Sequence, residues 1–418
     1  MGSVCPRELG VADRRSHRGM TATSQVAADN RGNRPRWCMG IAAVVAAVGL
    51  CLGLGWAVAW HRAKASCATR ASASQSTLLS QGYSSSWSPD SKWIAHDMIG
   101  PEGYLEVCVS EVQSLVRGRL GPLPGAVQVV AKSRGGNATD PAWSPDGSWI
   151  AFLQYRATQS SLWVARAPGA TAPGRSVEPV DITTGLVVTS PPRWSPDSST
   201  IALSYQEPVS DQPLVGTVAV LPGGDWPSPV TLVTRSSPSI VPVQLDCVPG
   251  GQLVFQQDHE GSVGLDLLDI RTKSTRRLTA GPWDAGPVAS PDGAWIAYIS
   301  EFDGDAGPAG LYVVSTDGGD PIGLTPVGTG CGPPAWSPDS RRLALFARDP
   351  GSNWCLHIVS APDRRWEGGQ AQVRPIPQED GIPGTTSWSP DGNLIAFSVT
   401  AAGSDIAYLR VIDAPGAQ

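Results

Sequence analysis

The chain has 418 residues, 41% of them hydrophobic, with 47 Gly, 38 Pro and 16 Trp against only 7 Tyr and 5 Phe. That composition excludes a disordered chain, argues against long helices over most of the length, and fits many short strands joined by tight turns. The net charge is −6; the first 60 residues carry seven Arg and three acids, which leaves 24 basic and 34 acidic groups in residues 61–418 and excludes nucleic acid as the partner of that acidic body.

Residues 1–36 are polar, Arg-bearing and without apolar periodicity, and read as a disordered tail. Residues 37–60, WCMGIAAVVAAVGLCLGLGWAVAW, hold no charge over 24 positions. At about 1.5 Å per residue this is long enough to cross a hydrocarbon core of about 30 Å, so a transmembrane helix is expected. Trp37 at one end and Trp56 and Trp60 at the other suit the two interfaces, and Arg34 and Arg36 favour a cytoplasmic N-terminus. The apolar stretch exceeds the roughly 7–15 residues of a cleaved signal peptide. Gly49 and Gly53 form a GxxxG through which two such helices could approach as a homodimer. Residues 61–75, rich in Ala and Ser, read as a flexible stalk.

From residue 76 onward one phrase keeps returning: SSWSPDSKWIA, PAWSPDGSWIAF, PRWSPDSSTIAL, VASPDGAWIAY, PAWSPDSRRLAL and TSWSPDGNLIAF. The marker Trp is Trp87, Trp143, Trp194, Trp336 or Trp388, with Ala289 in its place once. A degenerate unit, VQLDCVPGGQLVFQQ, puts Asp246 at the marker, which makes seven units spaced 43 to 56 residues apart. Ser-Pro-Asp-Gly is a tight turn: Pro presets φ, Asp bonds back to the local backbone and Gly tolerates the exit. A short strand ending in Trp precedes the turn, an Ile-Ala-Phe strand follows, and third and fourth strands such as GLYVVST and DPIGLTP complete the unit.

Seven repeats of four antiparallel strands predict an all-β, seven-bladed β-propeller over residues 76–413, because a row of small twisted sheets covers both faces of each only if the row closes. The seventh unit has three strands, so residues 76–80 are expected to supply its fourth. The recurrence of Trp at one place assigns Trp87, Trp143, Trp194, Trp336 and Trp388 to packing rather than to ligand stacking.

These WSPDGxxIAF units resemble the WD-like repeats of the TolB-like propeller family, which also occur in bacterial envelope lipoproteins and in the propeller of prolyl oligopeptidases. The resemblance covers about residues 76–413 and implies a bacterial envelope setting, while leaving function open, since such propellers are widely reused. TolB itself carries an α/β domain before a six-bladed propeller, where this chain has an apolar segment and seven units, so an orthologue of TolB is not expected.

Chemistry is sparse. No GxSxG nucleophile elbow occurs, and His96, His259 and His357 lie in different units without metal-ligand spacing, so neither a Ser hydrolase nor a metal site nor a cofactor is expected. Asp303 and Asp305 in EFDGDAG lack the remaining ligands of a calcium loop. The channel mouth is expected at the segments leading into each first strand: Thr139 and Asp140, Ser190, Asp284, Cys331, and Gly384 with Thr385. Trp226 and Trp283, off the repeat frame together with Trp354 and Trp366, are the first places to look for ligand stacking. The expectation is a single-pass plasma-membrane protein with an extracytoplasmic, periplasmic-type propeller that is not an enzyme and binds an envelope protein. The alternatives are a ligand-binding sensor working with a membrane partner, and a hydrolase or lyase using channel acids.

Overall fold

The computed structural model describes residues 77–414 apart from 113–126, 158, 170–177, 184, 208–212, 220–229, 235–243, 301–309, 327–331, 349–353, 362–365, 367–371, 378–380 and 402–406. The tail, the apolar segment 37–60, the stalk, Trp226, Asp303, Asp305 and Cys331 therefore lie outside the described residues. Among the described residues no helix is long and apolar enough to cross a membrane. They form 29 strands in seven antiparallel sheets.

Each sheet is one repeat unit. In the first blade Ser85–Trp87, Trp93–Ile99, Leu105–Glu111 and Val127–Ala131 follow one another across the sheet in chain order. The marker residue ends the inner strand in six blades, at Asn137–Trp143, Arg193–Trp194, Ala335–Trp336 and Gly381–Trp388 among others, while in the fourth Asp246 lies within Leu245–Val248. Inner strands of successive blades touch one another in a closed cycle, the seventh against the first, so they surround the central axis. The last blade takes its outer strand from the beginning of the described chain: Thr77–Gln81 pairs antiparallel with Ala407–Asp413.

The turn chemistry explains why the hairpin recurs. In six blades the Ser hydroxyl donates to the Asp carboxylate two residues on, at 2.5 to 2.6 Å, as in Ser88 to Asp90. The same Ser Oγ accepts the amide that opens the next strand, as from Trp93, and the Asp accepts an amide two residues further on, as from Lys92. The residue after Asp sits in the left-handed region, where Gly147, Gly293 and Gly392 meet no penalty but Ser91, Ser198 and Ser340 do.

Those three serines are compensated across the blade boundary. The amides of Asp391, Asp146 and Asp292 donate to the hydroxyls of Ser91, Ser198 and Ser340 in the next blade, at 3.0, 2.9 and 3.1 Å. Where the residue is Gly it lies against the turn proline of the preceding blade, Gly147 against Pro89 and Gly392 against Pro338. Ser and Gly thus form a belt around one rim.

Apolar packing closes the ring. Among the described residues seven buried clusters are present, and each joins two neighbouring blades. The Ile-Ala-Phe strands fill them: Ile94, Ala95, Ile150, Ala151, Ile395, Ala396 and Phe397 are fully buried. The small Ala lets the facing sheet pack close, and the large neighbours exclude water from the seam. The marker tryptophans are buried to 7 or 8% exposure within these seams. Three of them also pin the preceding blade: the indoles of Trp194, Trp336 and Trp388 donate to the carbonyls of Ala142, Val288 and Ala335, at 3.0, 2.9 and 3.1 Å. The indole N–H groups of Trp87 and Trp143 are buried without a partner among the described residues.

Candidate functional site

The end of the ring opposite the Ser-Pro-Asp turns carries the starts of the inner strands and the second-to-third-strand hairpins. Proline interrupts the inner ladders there. The third blade's inner strand breaks between Val187–Val188 and Arg193–Trp194, across Pro191 and Pro192, and the second slips register between Thr139 and Ala142. That slip is a β-bulge holding Asp140 at φ 53°, a strained conformation for a non-glycine residue.

The bulge aims Asp140 into a set of charges drawn from four blades. Its amide donates to Ser84 Oγ of the first blade, at 3.1 Å, and its Oδ2 accepts from the Thr139 hydroxyl at 2.8 Å. Behind it, Asp97 is fully buried, its Oδ1 receiving the amides of Tyr83 and Ser84 and its Oδ2 the Ser84 hydroxyl. Burial and then the neighbouring Asp97 charge push the Asp140 carboxyl up to about 6, against the Thr139 hydrogen bond and the Arg193 charge. Burial raises Asp97 as well, opposed by the Ser84 and Tyr83 hydrogen bonds.

Arg193 follows in the third blade, and its Nε lies 3.9 Å from Asp246 Oδ1 in the fourth. Asp246 is fixed by the amides of Cys247 and Ala289, at 3.0 and 2.9 Å. Burial raises its pKa, with Arg193 and the two amides pulling it down. The result is a row of alternating charge, Asp140, Arg193 and Asp246, built from consecutive inner strands.

The remaining sequence-predicted positions serve the framework. Ser190 is buried and accepts the Ser204 amide at 2.8 Å. Asp284 does not face the open mouth either: it is 1% exposed and accepts from Thr279 Oγ1, from Ser300 Oγ at 2.6 Å and from the Gly281 amide at 3.2 Å. Thr385 donates its hydroxyl to the Tyr83 carbonyl across the closing seam, at 3.2 Å. Trp283 is partly exposed and makes an isolated parallel bridge to Val263. Trp366 is a core residue, 3% exposed and edge-on to Trp336 at 5.5 Å, and the Trp354 ring lies under the Arg348 guanidinium at 4.9 Å. Of the histidines, His96 is buried with Nε2 2.9 Å from Ser110 Oγ and its pKa lowered by burial to about 4, and His259 pairs with Asp266 at 2.9 Å.

Sequence reasoning missed Asp97, Arg193 and Asp246 as members of this set. One signal was present. The place just before the marker holds Ser, Ala, Leu or Val in six units and Arg in one, while the marker itself becomes Asp in the neighbouring unit. Those two exceptions to the repeat meet in space.

No family model matches the chain. Over 70 residues it is 41% identical to an uncharacterized peptidase, YuxL, of Bacillus subtilis, a match covering 15% of this chain and 10% of that protein. Over 78 residues it is 37% identical to the Tol-Pal system protein TolB of Alkalilimnicola ehrlichii, covering 19% of this chain and 18% of TolB. Among solved structures, TolB from Acinetobacter baumannii is 20% identical over 72% of this chain and 67% of its own, with a TM-score of 0.48. Its seven antiparallel blades make the fold a β-propeller, with TolB among the proteins it is similar to. An oligogalacturonate lyase in complex with manganese superposes over 81% of this propeller chain and 90% of its own, with a TM-score of 0.59 at 12% identity. At such identities the likeness speaks for the fold alone, and the curated relatives are matched over less than a fifth of their length.

Proposed function

We propose that this protein is a membrane-anchored, extracytoplasmic propeller that acts as a non-catalytic protein-binding or scaffolding module of the bacterial cell envelope. The observation that carries this reading is a set of exposed large apolar side chains on the end described above. Tyr83, Ile99, Tyr104 and Ile382 are 37, 39, 41 and 58% exposed, and all four belong to the first and seventh blades at that end. Side chains of this size gain most from being covered by another protein surface. Residues 37–60 supply the anchor, with the N-terminus cytoplasmic.

A hydrolase or lyase reading has the lyase neighbour behind it, but that resemblance extends only to the fold. Crosslinking in intact membranes followed by mass spectrometry tests the scaffold, comparing the natural chain with a Tyr83→Ser, Ile382→Ser variant. A protein partner recovered reproducibly with the first and lost with the second supports it. Equal recovery with both, or recovery of glycans alone, overturns it.

A further inference from the structure

Asp140 and Arg193 stand on adjacent inner strands with opposite charge, and each is only partly committed. The single ion pair of Arg193 among the described residues is the loose 3.9 Å contact with Asp246, its guanidinium donates no hydrogen bond there, and its side chain is 44% exposed. Asp140 uses Oδ2 for Thr139 and its amide for Ser84, while Oδ1 has no partner among the described residues. The two groups influence each other electrostatically without forming an ion pair. A planar guanidinium with free donors suits a carboxylate, which it can grip through two parallel hydrogen bonds. A carboxylate with a free oxygen and a second carboxylate, Asp97, behind it suits an ammonium.

We propose that the channel wall formed by blades two to four is a binding site for a small zwitterion, an α-amino acid or short peptide, with Arg193 taking its carboxylate and Asp140 its ammonium. Three features of the wall support this assignment. The cation stands where the other six blades put Ser, Ala, Leu or Val, so the repeat itself does not call for it. Asp246, held by two backbone amides, fixes the electrostatic floor under Arg193 without saturating its donors. The bulge keeps Asp140 in a left-handed conformation that its Ser84 and Thr139 contacts maintain, so the carboxylate is oriented before a ligand arrives. A singly charged ligand meets an uncompensated opposite charge at this wall: an acetate faces Asp140 and Asp246, and an amine faces Arg193. A zwitterion is matched at both ends.

This site does not include the exposed Ile382 of the seventh blade, and it is tested separately. The full chain in detergent is titrated by calorimetry with each of the twenty common L-amino acids and with alanyl-alanine, and acetate and ethylamine serve as the single-charge probes. The expected result is saturable binding of at least one zwitterion, at least tenfold tighter than either single-charge probe. Arg193→Gln and Asp140→Asn should each weaken it at least tenfold, Arg193→Lys should weaken it less than Arg193→Gln, and Ile382→Ser, on the seventh blade, should leave it unchanged. No saturable heat from any zwitterion overturns the proposal. So does binding that survives Arg193→Gln in a protein with an unchanged melting curve, or binding matched by acetate or ethylamine.

Discussion

The Asp146 amide donates to Ser198 Oγ at 2.9 Å, so the turn of one blade is capped by the left-handed serine of the next. A left-handed serine costs roughly 1 kcal/mol relative to glycine, and the hydrogen bond returns a similar amount. Ser198→Ala keeps the strained backbone and loses the acceptor, so it should destabilise by about 1 kcal/mol. Ser198→Gly loses the acceptor but relaxes the backbone, and should fall within about 0.5 kcal/mol of the natural protein. Urea denaturation checks the order; an alanine variant as stable as the glycine one would sink the argument.

The marker tryptophans should not respond alike to loss of the indole N–H. Trp194 donates to Ala142, whereas the Trp143 nitrogen is buried without a partner among the described residues. Trp194→Phe removes both packing volume and a hydrogen bond, while Trp143→Phe removes packing volume and relieves a buried orphan. The first should cost at least about 1 kcal/mol more than the second, as read from paired denaturation curves. Equal losses would mean that the orphan nitrogen finds a solvent partner.

Asp140 gives a pH signature whose sign can be worked out. Its folded pKa, about 6, lies above the ordinary carboxylate value, so the folded state binds the proton more tightly than the unfolded chain does. The contribution to stability is fully present below the unfolded value of about 3.9 and is lost as the pH rises through the folded value. The groups around it are Asp97, which raises it, Arg193 and Thr139, which lower it, and Tyr155, whose own pKa its charge helps to raise. Asp140→Asn should therefore be more stable than the natural protein at pH 7, by roughly 1–3 kcal/mol, with the gap closing towards pH 4. Thermal melts across that range decide it, and a variant less stable at pH 7 refutes the assigned shift.

The Asp197 turn should titrate the other way. Hydrogen bonds from Ser195 and Ser199 hold its carboxyl below the usual range, so its contribution is present above about pH 3.9 and is lost as the pH falls through the lowered value. Ser195→Ala should remove part of that acid sensitivity, visible as a flatter loss of stability in melts between pH 5 and 2; an unchanged slope would count against it.

Removing the outer strand of the last blade should unmask the edge of Ala407–Asp413. A chain starting at residue 82 should melt at a lower temperature than one starting at residue 70, and should self-associate on a sizing column through the freed ladder. A monomer with an unchanged melting temperature would show that the pairing contributes little.

The number of blades was legible because in six of the seven the turn writes its own chemistry into the sequence: Ser and Asp bond to the local backbone and Pro presets φ. The fourth blade was found only from Leu253, Val254 and Phe255, since Asp246 had displaced the marker Trp. Positions at the mouth were legible only as positions. Asp284 and Ser190 could be placed at the start of inner strands, but that Thr279, Ser300 and Ser204 engage them follows from strand ends meeting in space. The juxtaposition of Asp140, Arg193 and Asp246 joins residues about fifty positions apart on different sheets, and the local pattern marks Arg193 and Asp246 only as exceptions to the repeat, not as neighbours.

Thr77 stands opposite Val411 and Gln81 opposite Tyr408, so the strand that opens the described chain starts beside the place where the final strand stops. Directly opposed residues in an antiparallel pair are only about 5 Å apart, a gap that a few residues of linker would span. The order in which the blades are encoded is therefore not a requirement of the architecture. A gene rearranged to join residue 413 to residue 77 and to open between any two blades would specify the same circle of contacts, with the break in the backbone moved to a different sheet.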